Sequence, residues 1–385
     1  MRYLHLIFRS LLRSRRRTVL TVLSLAGSVA LVAILQSVLS TLDGFANNPN
    51  SSNRIAVRHR TSITNLLPLR HEDWIRSQRD VEAVMALQWF GGVYKDPSNF
   101  FPNFASEPEP LLQVFKEEIT DYSEAQFRDF LQDRNGCIVG EALAKKYGWK
   151  VGDVIPLQGT TFPINPRLTL RAIFRSRRAS DEQVLHFHFK LLQEGVPYFK
   201  GSVGNFWVRA KHPEDVPRLM RSIDEHFKDA AEPTLSETEN AFQLEFLKMI
   251  GNYSAMIHAI TVAVLVAILI VTANTMGMAI RERSTEIAVF RAMGFTSGQM
   301  LGLLLTEGVL LSLLGTGFGL AVAYLMAGGI RAVAGGILPY LTDFSITPDT
   351  LQLCFEATLA VGLLSTFIPA YRAVRQPIVQ GLRAL

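Results

Sequence analysis

TVLTVLSLAGSVALVAILQSVLSTL, residues 18–42, contains no Asp, Glu, Lys or Arg. A bilayer core of about 30 Å takes roughly 20 apolar helical residues, so this stretch is long enough to cross it. Further along the chain, residues 249–280 are equally free of charge. Residues 300–330 carry one acid, Glu307, and residues 350–371 carry one, Glu356. The pattern predicts a membrane protein with four transmembrane α-helices. A large α+β domain, residues 43–248, is inserted between the first and second.

The charges flanking these stretches orient them. Arg2, Arg9, Arg13, Arg15, Arg16 and Arg17 precede the first span with no acid among them, and Arg372, Arg375 and Arg383 follow the fourth. Residues 281–299 hold Arg281, Arg283 and Arg291 against Glu282 and Glu286, whereas the outer loop, 331–349, has Arg331 with Asp343 and Asp349. Short basic flanks stay in the cytoplasm, which places both termini and the 281–299 loop inside and the large domain outside. That domain has 26 Lys+Arg and 28 Asp+Glu. The basic excess of the chain is therefore a topology signal, and no nucleic-acid partner is expected. Ser14-Arg15-Arg16-Arg17 resembles an export signal, but the apolar run behind it is too long and no small-x-small cleavage site follows, so a retained anchor is expected. Residues 1–17 read as an amphipathic helix on the inner leaflet. With one cysteine in the domain, Cys137, and one in the fourth span, Cys354, no internal disulfide is expected.

In the outer domain, residues 54–58 and 81–94 read as strands and 70–78 as a helix. Ser123, with Gln126 three residues on, reads as a helix cap. CIVGEALAKKYGWKVGDVIPL (137–157) parses as strand, helix from Glu141 stopped at Gly148, turn at Gly152-Asp153, and strand. Strands are expected over 168–174 and 204–210, then a helix over 213–227. From about Ser236 the pattern is helical into the second span. One unbroken helix over 239–280, roughly 60 Å long, would make a rigid stalk. His186 and His188 alternate with Leu185, Phe187 and Phe189, which reads as a half-buried strand with its histidines on the wetter face, and no metal site.

No stretch matches a phosphate-binding loop, a dinucleotide fingerprint, a nucleophile elbow or a zinc-protease helix, so no catalytic residue is assigned. The Gly-rich run at 315–319 lies inside a span, where Gly315 and Gly319, one turn apart, read as a helix-packing face. An intramembrane acid is a functional candidate by default. Glu307 and Glu356 fit either proton or substrate handling, or snorkelling and a bond to another span.

Three stretches carry a family resemblance: RERSTEIAVFRAMGFTSGQMLGLLLTEGVLLSLLGTGFGL (281–320), IPAYRAVRQPIVQGLRAL (368–385) and the 137–157 segment. Together they resemble the MacB/FtsX-type permeases of ABC transporters, which include the lipoprotein-release permeases. The family's signature falls on Arg281-Glu282-Arg283, Glu286-Ile287 and Arg291-Ala292-Met293-Gly294, its span-three acid on Glu307, and its Pro-Ala on Pro369-Ala370. Gln376 stands before Pro377 where the family usually has Asp. The resemblance implies a dimer, of this chain or with a homologous permease, in the inner (plasma) membrane with its domain in the periplasm. It also implies a separate cytoplasmic ATPase that holds ATP and Mg, leaving no cofactor and no metal on this chain. That ATPase would dock through Arg281, Glu282, Arg283, Glu286, Arg291 and Gly294. A two-lobed outer domain is implied as well, with 136–203 as the inserted lobe, and a periplasmic adaptor or outer-membrane component as a further partner.

The function expected is that of a permease subunit, itself no enzyme, which converts ATP hydrolysis into motion of its outer domain. Its cargo would be a lipid, lipoprotein, peptide or amphiphile. The alternative is an FtsX-like signalling protein that activates an extracytoplasmic hydrolase.

Overall fold

The computed structural model describes residues 15–46, 51–96, 99, 101–248, 252–334 and 343–376. Most of the expected amphipathic segment, 1–14, part of the outer loop, 335–342, and the tail from 377 lie outside them. The chain divides into two units, one of residues 1–40, 252–329 and 344–385, the other of residues 41–251 and 330–343.

Among the described residues, four helices have the length and apolarity to cross a membrane: Arg15–Ala46, Tyr253–Glu282, Ser297–Ala334 and Pro348–Arg375. Small residues set how closely they approach. A Cβ added at Gly315 of the third span would stand 2.5 Å from Leu25 Cβ of the first, and one at Gly319 would stand 2.6 Å from the Ala26 carbonyl oxygen. Both glycines therefore lie in the contact with the first span, where any side chain would force the helices apart. The third and fourth spans meet through a reciprocal pair, Gly308 against Thr366 and Gly362 against Ser312. Gln36 of the first span donates to Thr261 of the second at 3.4 Å.

The second unit is built on one sheet. Its strands are β1 (Arg54–His59), β2 (Leu67–Pro68), β3 (Val81–Trp89), β4 (Val93–Tyr94), β5 (Asn103–Ser106), β6 (Asp121–Tyr122) and β7 (Gly136–Gly140). They continue with β8 (Val154–Gln158), β9 (Arg167–Arg175), β10 (Leu185–His188), β11 (Ser202–Val203), β12 (Asn205–Ala210) and β13 (Thr234–Thr238). The order is β13-β1-β12-β3-β5-β10-β7-β9-β8-β4, with β6 on β9, and β2 pairs β11 apart from it. Strand alternation divides the apolar side chains between two faces. Phe206, Val208, Val84 and Phe187 join one core, while Trp207, Met85, Ile138 and Ala172 join the other, under the helices Pro108–Val114 and Glu124–Gln132.

Local chemistry sets several boundaries where the sequence placed them. The Ser123 side chain accepts from the Gln126 amide, Gly148 ends the helix Glu141–Tyr147 at φ +69°, and Gly152 turns at φ +100°. The strands β7, β8, β9 and β10, all within residues 136–203, are contiguous in this sheet and join the flanking strands through the parallel β10–β5 pair. Two expectations are corrected. His186 and His188 face no water: both are buried, His186 3.3 Å from Ser106 Oγ and stacked on Phe104, His188 Nε2 2.6 Å from the Phe130 carbonyl oxygen. These bonds account for the pair within the core, and burial holds His186 down to a pKa of about 4. Finally, the helix expected over 239–280 is two helices, Glu239–Lys248 and Tyr253–Glu282. Asn252, off helical geometry at ψ 67°, caps the second by accepting from the Ala255 amide.

Candidate functional site

The connector between the second and third spans folds as a helix of its own. Arg283, at φ −106° and ψ 12°, breaks the second span, and the helix Ser284–Ala292 follows. Gly294, at φ +100°, takes a backbone conformation that a side chain would oppose, and it turns the chain toward the third span. Thr296 and Gln299 then form a reciprocal capping box: the Thr296 amide donates to Gln299 Oε1 at 2.9 Å, and the Gln299 amide donates to Thr296 Oγ1 at 3.3 Å.

One face of the connector helix is fastened down. Ile287 and Ala288 are buried, and Ile287 packs with Ile280, Met300, Leu304, Ala370 and Val374 from the second, third and fourth spans. Two arginines bolt this contact. Arg283 donates from Nη1 to both oxygens of Glu307 at 3.1 and 3.0 Å, a charge-assisted contact joining the end of the second span to the third. Arg291 donates to the Gln376 carbonyl at 2.7 Å, at the C-terminus of the fourth span, where the helix dipole favours a cation.

The opposite face is presented. Arg281, Glu282, Glu286 and Gly294 are exposed, together with Val289 at 41% and Met293 at 63%. The residues that the resemblance assigned jointly to docking are thus split by geometry. Arg283 and Arg291 turn toward the spans, and the others line the exposed side. Val289 and Met293 were missed in the sequence because both are apolar, although their spacing of three and seven from Glu286 puts all three on one helical face. Glu356 is not part of this constellation. It accepts from Gln352 Nε2 at 2.8 Å, one turn away on its own helix.

A second polar constellation holds the helix Glu239–Lys248 to the sheet. Arg54, fully buried in β1, pairs with Glu239 and forks onto Glu118 at 2.5 and 2.6 Å. Arg58 pairs with Glu237 at 3.0 Å and with Glu245, and Ser51 donates to Asn240 at 2.7 Å. Burial, reinforced by Glu118, pushes the Glu239 carboxyl up to about 7 despite Arg54. Phe242 adds an edge-on contact to Trp207 at 5.8 Å.

Residues 18–226 match the MacB-like periplasmic core domain, and residues 258–378 match the FtsX-like permease C-terminal domain. An uncharacterized ABC transporter permease of Methanocaldococcus jannaschii is 24% identical over 321 residues, which cover 80% of this chain and 77% of that protein. The lipoprotein-releasing system transmembrane protein LolC of Haemophilus influenzae is 21% identical over 301 residues, 71% of each chain. The macrolide export ATP-binding/permease protein MacB of Shewanella oneidensis is 34% identical over 135 residues, 35% of this chain and 20% of that protein. Among solved structures, the periplasmic region of MacB from Actinobacillus actinomycetemcomitans aligns with a TM-score of 0.39 at 10% identity, covering 52% of this chain and 96% of that one.

Proposed function

The chain belongs to the ABC transporter permeases that carry a MacB-like periplasmic core domain and an FtsX-like permease domain, and on that premise we propose that a separate ATPase drives it through the connector helix. The observation that carries this reading is the helix's two-sidedness. A push on the exposed face of Glu286, Val289 and Met293 would be delivered by Ile287, Arg283 and Arg291 to the ends of all three adjoining spans. ATP and Mg are held on the ATPase, and this chain supplies the moving parts. The connector and both termini lie in the cytoplasm, and the sheet domain lies across the inner membrane in the periplasm, by the charge asymmetry of the flanks. The permease works as a dimer, and its cargo is a lipid, lipoprotein, peptide or amphiphile handled on the outer side, with or without a periplasmic adaptor or outer-membrane component. The match of the outer domain to the MacB-like core supports transport over hydrolase activation.

The double variant Glu286→Lys, Val289→Asp changes only exposed positions. It should remain inserted in the membrane and lose at least about tenfold in ATPase co-purification, as expected for a charge reversal combined with loss of an apolar anchor. Undiminished co-purification would mean that docking occurs elsewhere. Arg291 is unsuitable for this test, because its loss would also loosen the helix from the fourth span.

A further inference from the structure

The chain enters and leaves the sheet domain side by side. β1, the first strand after the first span, pairs antiparallel with β13, and the helix Glu239–Lys248 that follows β13 precedes the second span. What fastens entry to exit is ionic and buried: Arg54 is fully buried and Glu239 is 4% exposed. Desolvation offsets most of the attraction in such a pair, so stability alone does not account for it, and a switch is its better-attested use. The charges here do not balance. Arg58 serves Glu237 and Glu245, and Arg209 holds Glu117, 3.7 Å from Arg54, in a fork at 2.7 and 2.6 Å. Arg54 is left facing two carboxylates, Glu239 and Glu118, with Asp181 of the turn between β9 and β10 acting on Glu239 as a third. One guanidinium cannot neutralise two buried carboxylates, so the cluster favours taking up a proton.

The helix is also incompletely bonded to its seat. Gln243 donates from Nε2 to Glu239 Oε1 at 2.9 Å, but its own Oε1 is buried without a hydrogen-bond partner among the described residues. The same holds for Nε1 of Trp207, against which Phe242 packs. A donor and an acceptor left unpaired in one contact reduce the cost of leaving it. We propose that this cluster is a proton-operated clasp: a proton taken up at Glu239 seats the helix Glu239–Lys248 on the sheet, and its loss frees the helix. The direction follows from burial. The Glu239 carboxyl sits at about 7 in the seated helix, against an ordinary 4.5 in water. The seated form therefore holds the extra proton between those values, and the seat weakens as the pH rises through that window. Asp181, pushed up by burial to about 6, acts in the same direction, while Arg54, Arg58 and Arg209 stay charged throughout. On the permease reading the clasp lies outside the membrane, where acidity would stiffen the passage from sheet to second span.

Hydrogen exchange followed by mass spectrometry tests this on the full chain in detergent, with each rate divided by the intrinsic rate at the same pH. Amides of residues 239–248 should open at least about tenfold more often at about pH 8 than at about pH 5, with no such rise in β3 or β12. Glu239→Gln cannot ionise, and should cut the rise to under about threefold. Glu118→Gln leaves Arg54 to Glu239 alone, and should shrink the rise at least about threefold without removing the pair. A flat wild-type response, a rise kept in full by Glu239→Gln, or an equal rise in β3 and β12 would overturn the proposal. Because the readout needs no ATPase, failure of the clasp is distinct from failure of the permease reading.

Discussion

Glu307 shows what a lone acid in an apolar run can be. The sequence supplied its position and the certainty that an unpaired carboxylate would be costly there, but the partner is 24 residues away and belongs to a set assigned to docking. Only the fold brings Arg283 onto it. Removing either member leaves the other short of its bonds, so Glu307→Ala and Arg283→Ala should each lower stability in detergent by about 1–3 kcal/mol, with the double variant costing clearly less than the two together. Strict additivity in thermal unfolding would show that the pair carries no coupling. His186 makes a complementary case. Period-two alternation read its strand correctly but could not say which face was dry, since helices from distant sequence cover it. Its pKa is about 4 in the fold and near the ordinary 6.5 in the unfolded chain. The stability it supports is therefore present above about pH 6.5 and lost as the pH falls toward 4, by up to about 3 kcal/mol. All four tryptophans, Trp74, Trp89, Trp149 and Trp207, lie in the sheet domain, so urea unfolding of the full chain followed by tryptophan fluorescence reports on it. The wild type should lose about that much more than His186→Phe over this range, whereas parallel pH curves would contradict the assignment. Glu239 and Asp181, which titrate over part of the same range, are common to both proteins and cancel in the difference.

Among the elements, the spans were legible because hydrocarbon leaves a helix few options: length and absence of charge suffice. Their mutual packing was legible in part. Gly315 and Gly319 announce a close approach, but nothing local identifies Leu25 and Ala26 as what they approach. The same run contains its own control, since Gly317 has open space around its Cβ position. Gly319→Leu should lower the melting temperature in detergent, at a cost of about 1–3 kcal/mol of overpacking, while Gly317→Leu leaves it nearly unchanged. Similar shifts for both would show that the third span does not seat on the first through this face. The break between Glu239–Lys248 and Tyr253–Glu282 was not legible from periodicity, which runs through it. The signal that could have found it is Asn252 as a cap, three residues before the amide it accepts from. The Arg54 and Arg58 pairs that hold the helix Glu239–Lys248 were hidden for another reason. Their acids, Glu118, Glu237, Glu239 and Glu245, lie 64 to 187 residues away in the chain.

For the whole molecule, charge asymmetry around the spans and three motif stretches indicate a permease, and the family matches over residues 18–226 and 258–378 agree. The sequence placed the family signature in one short loop, and the fold divides that loop into a fastened side and a presented side. The central proposal is that an ATPase moves this chain through the connector helix. The most direct measurement is to tag the full chain, extract it in detergent from its native membranes, identify by mass spectrometry what comes with it, and assay ATP hydrolysis. The expected result is a stoichiometric ATPase with a phosphate-binding loop and hydrolysis that follows it through purification. Recovery of this chain with no ATPase and no hydrolysis, under conditions that keep it folded, would contradict the account.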